Sequence, residues 1–243
     1  MSAAPLPVIV TRAEPGASET AARLEAMGVQ ALVSPVLSVQ TDPSVALPDL
    51  SNVSGLVFTS ANGVRALVER SAERTLAAWC VGPATAKAAR EAGFGQVFES
   101  AGNAVDLANY IAAHTTPEPK PLLHVANAAA KGDLKATLEE LGFKVTFAPL
   151  YAMQPASALA PGAASALEAE HGCIVLIHSA KGAERFATLT RDVSLQNTVA
   201  VAISDAALAP LATLPLTARY SATSPNEDGL FTALDAAIAT LSA

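Results

Sequence analysis

Charge is scarce in this chain. Asp, Glu, Lys and Arg make up 15% of the 243 residues, against 51% hydrophobic residues. Such a chain buries a large core and lies far from the regime in which high charge and low hydrophobicity keep a polymer disordered. Basic charge is scarcer still, and a formal net charge of −7 excludes a nucleic-acid partner, which requires a basic face to neutralise phosphate. Long apolar runs are missing too. The longest, such as Cys173 to Ile177 and Thr198 to Ile203, have strand length and end at small or polar residues, so no segment reads as a membrane-spanning helix and no membrane partner is expected. Met1 to Thr11 lacks the basic start and apolar core of a signal peptide, which makes a cytoplasmic protein the expectation.

Cysteine is limited to Cys80 and Cys173, each at the start of an apolar run. Both read as small buried hydrophobes, since neither has zinc or redox-pair spacing and a reducing compartment keeps them as thiols. His114, His124, His171 and His178 are too scattered to propose a metal site. Cofactor signatures are absent as well. After the first apolar run stands Thr11-Arg12-Ala13-Glu14-Pro15-Gly16 rather than G-x-G-x-x-G, and no P-loop, G-x-S-x-G or H-E-x-x-H occurs, so the expected site works without cofactor or metal.

What the chain does have is a duplication. Val57-Phe58-Thr59-Ser60-Ala61-Asn62-Gly63 returns as Leu176-Ile177-His178-Ser179-Ala180-Lys181-Gly182, an offset of 119 residues (179 − 60). Met27-Gly28-Val29 through Pro35-Val36-Leu37 is echoed by Leu141-Gly142-Phe143 through Pro149-Leu150-Tyr151 at an offset of 114 (142 − 28), and Ser100-Ala101 by Ser221-Ala222 at 121 (221 − 100). Periods of this length mean two copies of a domain rather than a solenoid.

Apolar runs of strand length alternate with amphipathic stretches, the signature of an α/β protein with parallel sheets. Strands are expected at Leu6 to Thr11, Val29 to Ser34, Gly55 to Thr59, Ala78 to Val81, Gln96 to Glu99, Leu122 to Ala126, Phe143 to Ala148, Ile174 to His178, Val199 to Ile203 and Thr217 to Tyr220. Pattern alone allows two domain cuts. The Pro-rich segment Thr115 to Pro121 suits an interdomain linker between tandem copies. Alternatively, the matched extended segments Val36 to Gln40 and Leu150 to Gln154 pair as a two-stranded crossing, which makes one lobe from both chain ends and another from the middle.

In a doubly wound sheet, ligands bind beyond the carboxyl ends of the strands, where helix N-termini offer free amides. The residues at those ends are Thr11-Arg12, Thr59-Ser60-Ala61-Asn62, Gly82-Pro83-Ala84-Thr85, Asn127, His178-Ser179 and Ser204-Asp205. Short hydroxyl and amide side chains beside free N–H groups suit the binding of anions, although ordinary helix capping uses the same residue types.

These turns resemble, in order along the chain, those of the uroporphyrinogen-III synthase family: Val10 to Pro15, Val57 to Val64, Val81 to Ala86, Pro149 to Tyr151, Ile177 to Ala180 and Ser224 to Glu227. The resemblance implies two similar, flavodoxin-like α/β lobes with doubly wound parallel sheets. One comprises residues 1–35 and 155–243, the other 41–149, with linker strands at 36–40 and 150–154. It implies a cofactor-free lyase of haem and tetrapyrrole biosynthesis, a monomer that cyclises the polycarboxylate hydroxymethylbilane to uroporphyrinogen III with inversion of ring D. Tyr151 matches the family's implicated tyrosine and is expected to be the proton donor. Thr11, Arg12, Thr59, Ser60, Asn62, Gly82, Thr85, Asn127, His178, Ser179 and Ser204 are expected to hold the substrate, with Arg65, Lys181 and Arg185 adding charge.

Two departures from the family pattern stand out. Ala126-Asn127 replaces a frequent Arg-Gly, and Ser204-Asp205-Ala206-Ala207 replaces a Gly-x-Thr-x turn. They keep in view a non-catalytic or regulatory module that retains the fold; separately, a third reading is a hinge-type binding protein for small anions.

Overall fold

A computed structural model describes residues 6–100, 102–130 and 133–241, so Ala101 of the repeated Ser-Ala pair, and the start of the segment read for a signal peptide, lie outside the described residues. In chain order the elements are β1 (Val8–Val10), α1 (Gly16–Ala26), β2 (Ala31–Val33), β3 (Leu37–Thr41), β4 (Gly55–Phe58), α2 (Ala61–Val68), β5 (Ala78–Cys80), α3 (Pro83–Glu91), β6 (Val97–Glu99), α4 (Ala104–His114), β7 (Leu122–Asn127), α5 (Leu134–Glu140), β8 (Val145–Pro155), α6 (Pro161–Glu168), β9 (Cys173–Ile177), α7 (Ala180–Leu189), β10 (Thr198–Ala202), α8 (Asp205–Leu208), β11 (Ala218–Ser221) and α9 (Glu227–Leu241). The chain divides into two compact units, Met1–Ser38 with Gln154–Ala243, and Val39–Met153.

In the first unit the sheet runs β11-β10-β9-β1-β2 with every pair parallel. Its strands are buried on both sides, and their alternation decides which residue meets which layer. Val8, Val10, Ile174 and Leu176 pack with Ala17 and Leu24 of α1 and with Leu230, Phe231 and Leu234 of α9. Ile9, Val175 and Ile177 face the other way, onto Ala163 and Leu167 of α6 and Ala183 and Phe186 of α7.

The second unit holds the sheet β3-β8-β7-β4-β5-β6, parallel from β8 to β6. Leu56, Phe58, Leu123 and Val125 pack with Val64 and Leu67 of α2 and Ala86 and Ala89 of α3. Val57, Trp79 and Leu122 meet Leu107 and Ile111 of α4 and Leu134 and Leu138 of α5. Cys80 and Cys173 are buried free thiols in these layers, and burial pushes them up to about 12 and about 11.

Five strands of each sheet follow one spatial order, β2-β1-β9-β10-β11 in the first unit and β8-β7-β4-β5-β6 in the second. Each repeated segment takes the same place in that order: the turns after β4 and β9, Gly142 and Gly28 before β8 and β2, Ser100 and Ser221 at the ends of β6 and β11. The copies are therefore tandem in sequence but exchange parts in space. Of these five, each sheet takes two strands from one copy and three from the other, and the second sheet adds β3. The Pro-rich junction between the copies, Thr115 to Pro121, joins α4 to β7 inside the second unit.

One strand departs from its sequence-based reading. The apolar run from Phe143 and the extended segment from Leu150 form the single strand β8, which breaks register against β7: Val125 faces Ala148, but Asn127 faces Tyr151. Two residues of β7 thus oppose three of β8. Pro149 lies in the break and lacks the N–H a regular ladder requires, which is where a bulge belongs. The consequence is local and specific. Leu150 and Tyr151, neighbours in sequence, both join the core layer of α2 and α3 instead of alternating.

Candidate functional site

Strand order reverses between β4 and β7 in the second unit and between β1 and β9 in the first, which places a crevice at the carboxyl ends of those strands. In the second unit Thr59 and Ser60 follow β4. Ser60 has an extended backbone, φ −163°, and its Oγ accepts the Asn62 N–H at 3.2 Å, capping α2. The Ser60 hydroxyl also meets Tyr151, whose side chain is only 4% exposed. Burial pushes the Tyr151 phenol above its ordinary value and the Ser60 contact opposes that shift, so the tyrosine keeps its proton at neutral pH.

Beside them, Thr59 Oγ1 lies 3.3 Å from His124 Nε2. His124 is buried against the edge of Phe147, and burial lowers it to about 4, which leaves the imidazole neutral in ordinary buffers. Its Nδ1 has no hydrogen-bond partner. Asn127, opposite Tyr151, turns its Oδ1 onto the Ala129 N–H at 2.7 Å. Gly82 caps α3 with backbone alone and is followed by Pro83 at the first helical position.

Several expected contact residues are buried or already hydrogen-bonded within their own unit. Thr85 is 4% exposed and belongs to the buried side of α3. Asn62 accepts from Arg65 Nη1 at 3.0 Å along α2. Arg185 spends its guanidinium on the Ala156 carbonyl. Thr11 is buried, and its hydroxyl donates to the Leu176 carbonyl at 2.6 Å, tying β1 to β9.

In the first unit, Ser179 and Ser204 cap α7 and α8 through Gly182 N–H at 3.1 Å and Ala207 N–H at 3.2 Å. Asp205 is exposed at the start of α8. Arg12 and His178 enter a cluster that sequence reading did not anticipate. Arg12 Nη1 lies 2.8 Å from Glu227 Oε2, Thr20 Oγ1 donates to Glu227 Oε1 at 2.6 Å, and His178 Nε2 stands 3.5 Å from Oε2, within ion-pair range but outside hydrogen-bond geometry. Burial alone would raise the Glu227 carboxyl, but His178, Thr20 and Arg12 together hold it at about 2.

Among the described residues, no three His, Cys, Asp or Glu side chains gather as a metal site would require, and no helix is long and apolar enough to cross a membrane.

A model of the uroporphyrinogen-III synthase (HemD) family matches residues 18–232. The chain belongs to the uroporphyrinogen-III synthase family. It is accordingly a lyase of haem and tetrapyrrole biosynthesis. Among solved structures it is similar to the uroporphyrinogen-III synthetase of Helicobacter pylori 26695, at 19% identity and a TM-score of 0.65, with 97% of this chain and 99% of that one covered. It is also similar to a mutant uroporphyrinogen III synthase of the extremely thermophilic bacterium Thermus thermophilus, at 17% identity and a TM-score of 0.50, covering 97% and 98%. At such identities the structural likeness concerns the fold. No curated protein matches the chain by sequence.

Within this synthase fold, three residues of the crevices escaped sequence reasoning: His124, Thr20 and Glu227. A lone histidine in the otherwise apolar run Leu122 to Ala126 is the signal for the first. Glu227 closes the family-like segment Ser224 to Glu227 but lies 215 residues from Arg12, too far for any local pattern to join them.

Proposed function

We propose that this chain closes hydroxymethylbilane to uroporphyrinogen III as a cytoplasmic monomer, with the units as lobes, residues 36–40 and 150–154 as linker strands, and the strand-end turns as substrate contacts. The family match over residues 18–232 carries this reading. The reaction breaks the C–O bond of the hydroxymethyl group on ring A and joins that carbon to the substituted carbon of ring D as a spiro intermediate. The older bond from that ring D carbon to the methylene of ring C then breaks and re-forms at the free α-carbon of ring D, which gives up a proton, so that hydroxide and proton leave together as water. The uncatalysed substrate closes to isomer I, so the enzyme's main task is to hold ring D in the inverted attack geometry. Positioning can supply up to roughly 7–11 kcal/mol of a barrier.

The residues fit a division of labour. The Tyr151 phenol, kept protonated by burial, gives its proton to the departing hydroxyl. Thr59, Ser60, Asn127, Ser179 and Ser204, with the backbone N–H groups at the starts of α2, α3 and α7, hold acetate and propionate groups. Net repulsion between a chain of charge −7 and an octa-anion makes these local donors the source of affinity. The test is to incubate fresh hydroxymethylbilane with the protein and resolve the oxidised porphyrins. Isomer III formed faster than spontaneous closure is expected; isomer I alone at the spontaneous rate would favour a non-catalytic module.

A further inference from the structure

The two units supply an internal comparison. Aligned by the β1–β9 and β4–β7 registers, Arg12 corresponds to Ala126 and His178 to Thr59. Aligned by Gly28 and Gly142, Thr20 corresponds to Leu134. Asn226 and Asn103, which accept the N–H groups of Gly229 and Asp106 three residues on, match Glu227 with Ala104. The second unit thus builds the same sheet and helix packing with alanine, leucine and threonine where the first has arginine, glutamate, threonine and histidine. The fold does not require the charged cluster.

The cluster also has the composition of a receptor. Glu227 presents a carboxylate, and its neighbours are a guanidinium, a hydroxyl and an imidazole from three separate elements, all converging at the crevice between β1 and β9. The His178 side chain is 9% exposed, and neither ring nitrogen has a hydrogen-bond partner, although Nε2 is turned toward the carboxylate. Arg12 and Glu227 are about one-third exposed, 33% and 31%, so solvent and ligands reach the pair. Glu227 is the first residue of α9, so its carboxylate is held at the start of the helix and not within its packed length.

We propose that Arg12, Thr20 and His178 form a carboxylate subsite that Glu227 occupies in the free enzyme and surrenders to an acetate or propionate arm of the substrate. This inference rests on the proposed function for the identity of the arm, while the subsite itself rests on geometry. Glu227 acts as an internal competitor. It satisfies Arg12 between turnovers, and it makes binding at this crevice conditional on a carboxylate able to replace it.

The probe is propionate, followed through the ring resonances of 15N-labelled histidine. Glu227→Gln removes the competing charge, and Glu227→Asp withdraws the carboxylate by one methylene while keeping charge at the helix start. Both are expected to bind propionate at His178 at least fivefold more tightly than the unmodified chain, and Arg12→Ala added to Glu227→Gln should abolish the gain. In the unmodified chain, saturation with the stable octacarboxylate uroporphyrin III should move the Glu227 carboxyl 13C resonance to its solvent-exposed value. Unchanged propionate affinity in the variants, or an unmoved Glu227 resonance at saturation, overturns the subsite and leaves a structural clasp between α1 and α9. Isomer III formation is assayed on the same samples. Propionate binding without isomer III keeps the subsite and rejects the function; isomer III without propionate binding does the reverse.

Discussion

The Thr59 hydroxyl and His124 Nε2 share a 3.3 Å contact across the β4–β7 pair, and the other nitrogen of that histidine is buried without a partner. A proton added to this ring would sit in an apolar layer beside Phe147. Burial therefore depresses His124 to about 4 from an ordinary 6.5. For a group depressed on folding, the stability it contributes is complete above the unfolded value and is lost as pH falls through the folded one. Between pH 7 and pH 5, His124 alone should cost about 2 kcal/mol of unfolding free energy. Urea unfolding at the two pH values measures it. His124→Gln should lose this increment, and parallel pH dependence in the two proteins would remove the buried histidine as its source.

Tyr151→Phe deletes one hydroxyl and leaves the packing of a residue buried beside Leu150 and Ser60. General acid assistance is worth about 10²–10⁴ in rate. The variant is expected to slow isomer III formation by a factor in that range, with isomer III still the enzymatic product because positioning survives. Full turnover would reduce Tyr151 to a core residue.

Ser60→Ala and Ser179→Ala remove equivalent caps, which accept from the N–H groups of Asn62 and Gly182. Each should lower unfolding free energy by about 1 kcal/mol. Only Ser60 also touches Tyr151, so steady-state kinetics should show a fall in kcat for Ser60→Ala and an effect mainly on KM for Ser179→Ala. Equal kinetic changes would mean that Ser60 does not position the phenol.

Gly63 and Gly182 are repeat partners with different surroundings. A Cβ on Gly63 would come within 2.8 Å of the Val125 carbonyl oxygen, whereas on Gly182 it would meet the Ser179 hydroxyl at 3.2 Å. Alanine is preferred over glycine inside a helix by about 1 kcal/mol. At Gly63 the collision with backbone outweighs that preference, and Gly63→Ala should destabilise by roughly 1–3 kcal/mol. Gly182→Ala should be close to neutral, because the gain in helix preference offsets the displacement of the Ser179 hydroxyl that caps α7. Thermal melts of the two variants test the contrast, and equal midpoints would contradict it.

Much of this was legible before any coordinates. Unbroken apolar runs at Val8 to Val10 and Cys173 to Ile177, helices ending at Gly28 and Gly142, and serines at the starts of α2, α7 and α8 are local patterns, set by hydropathy and backbone freedom over a few residues. They determined an α/β chain with parallel strands, and the echoed turns determined that it was built twice. What the sequence left open was which strand lies beside which, because pairing is a long-range choice that hydropathy does not encode. Pattern alone allowed both domain cuts and the family resemblance implied the discontinuous one; the strand orders themselves, with the Pro-rich junction inside one unit, come from tertiary structure. It also decided that the bulge around Pro149 turns Tyr151 toward Ser60, since a one-residue register change reverses every later side chain. The clearest case is Arg12 and Glu227. In sequence Arg12 reads as a strand-end contact residue and Glu227 as the close of a family-like turn, and they become one cluster only because β1 and α9 are brought together from opposite ends of the chain.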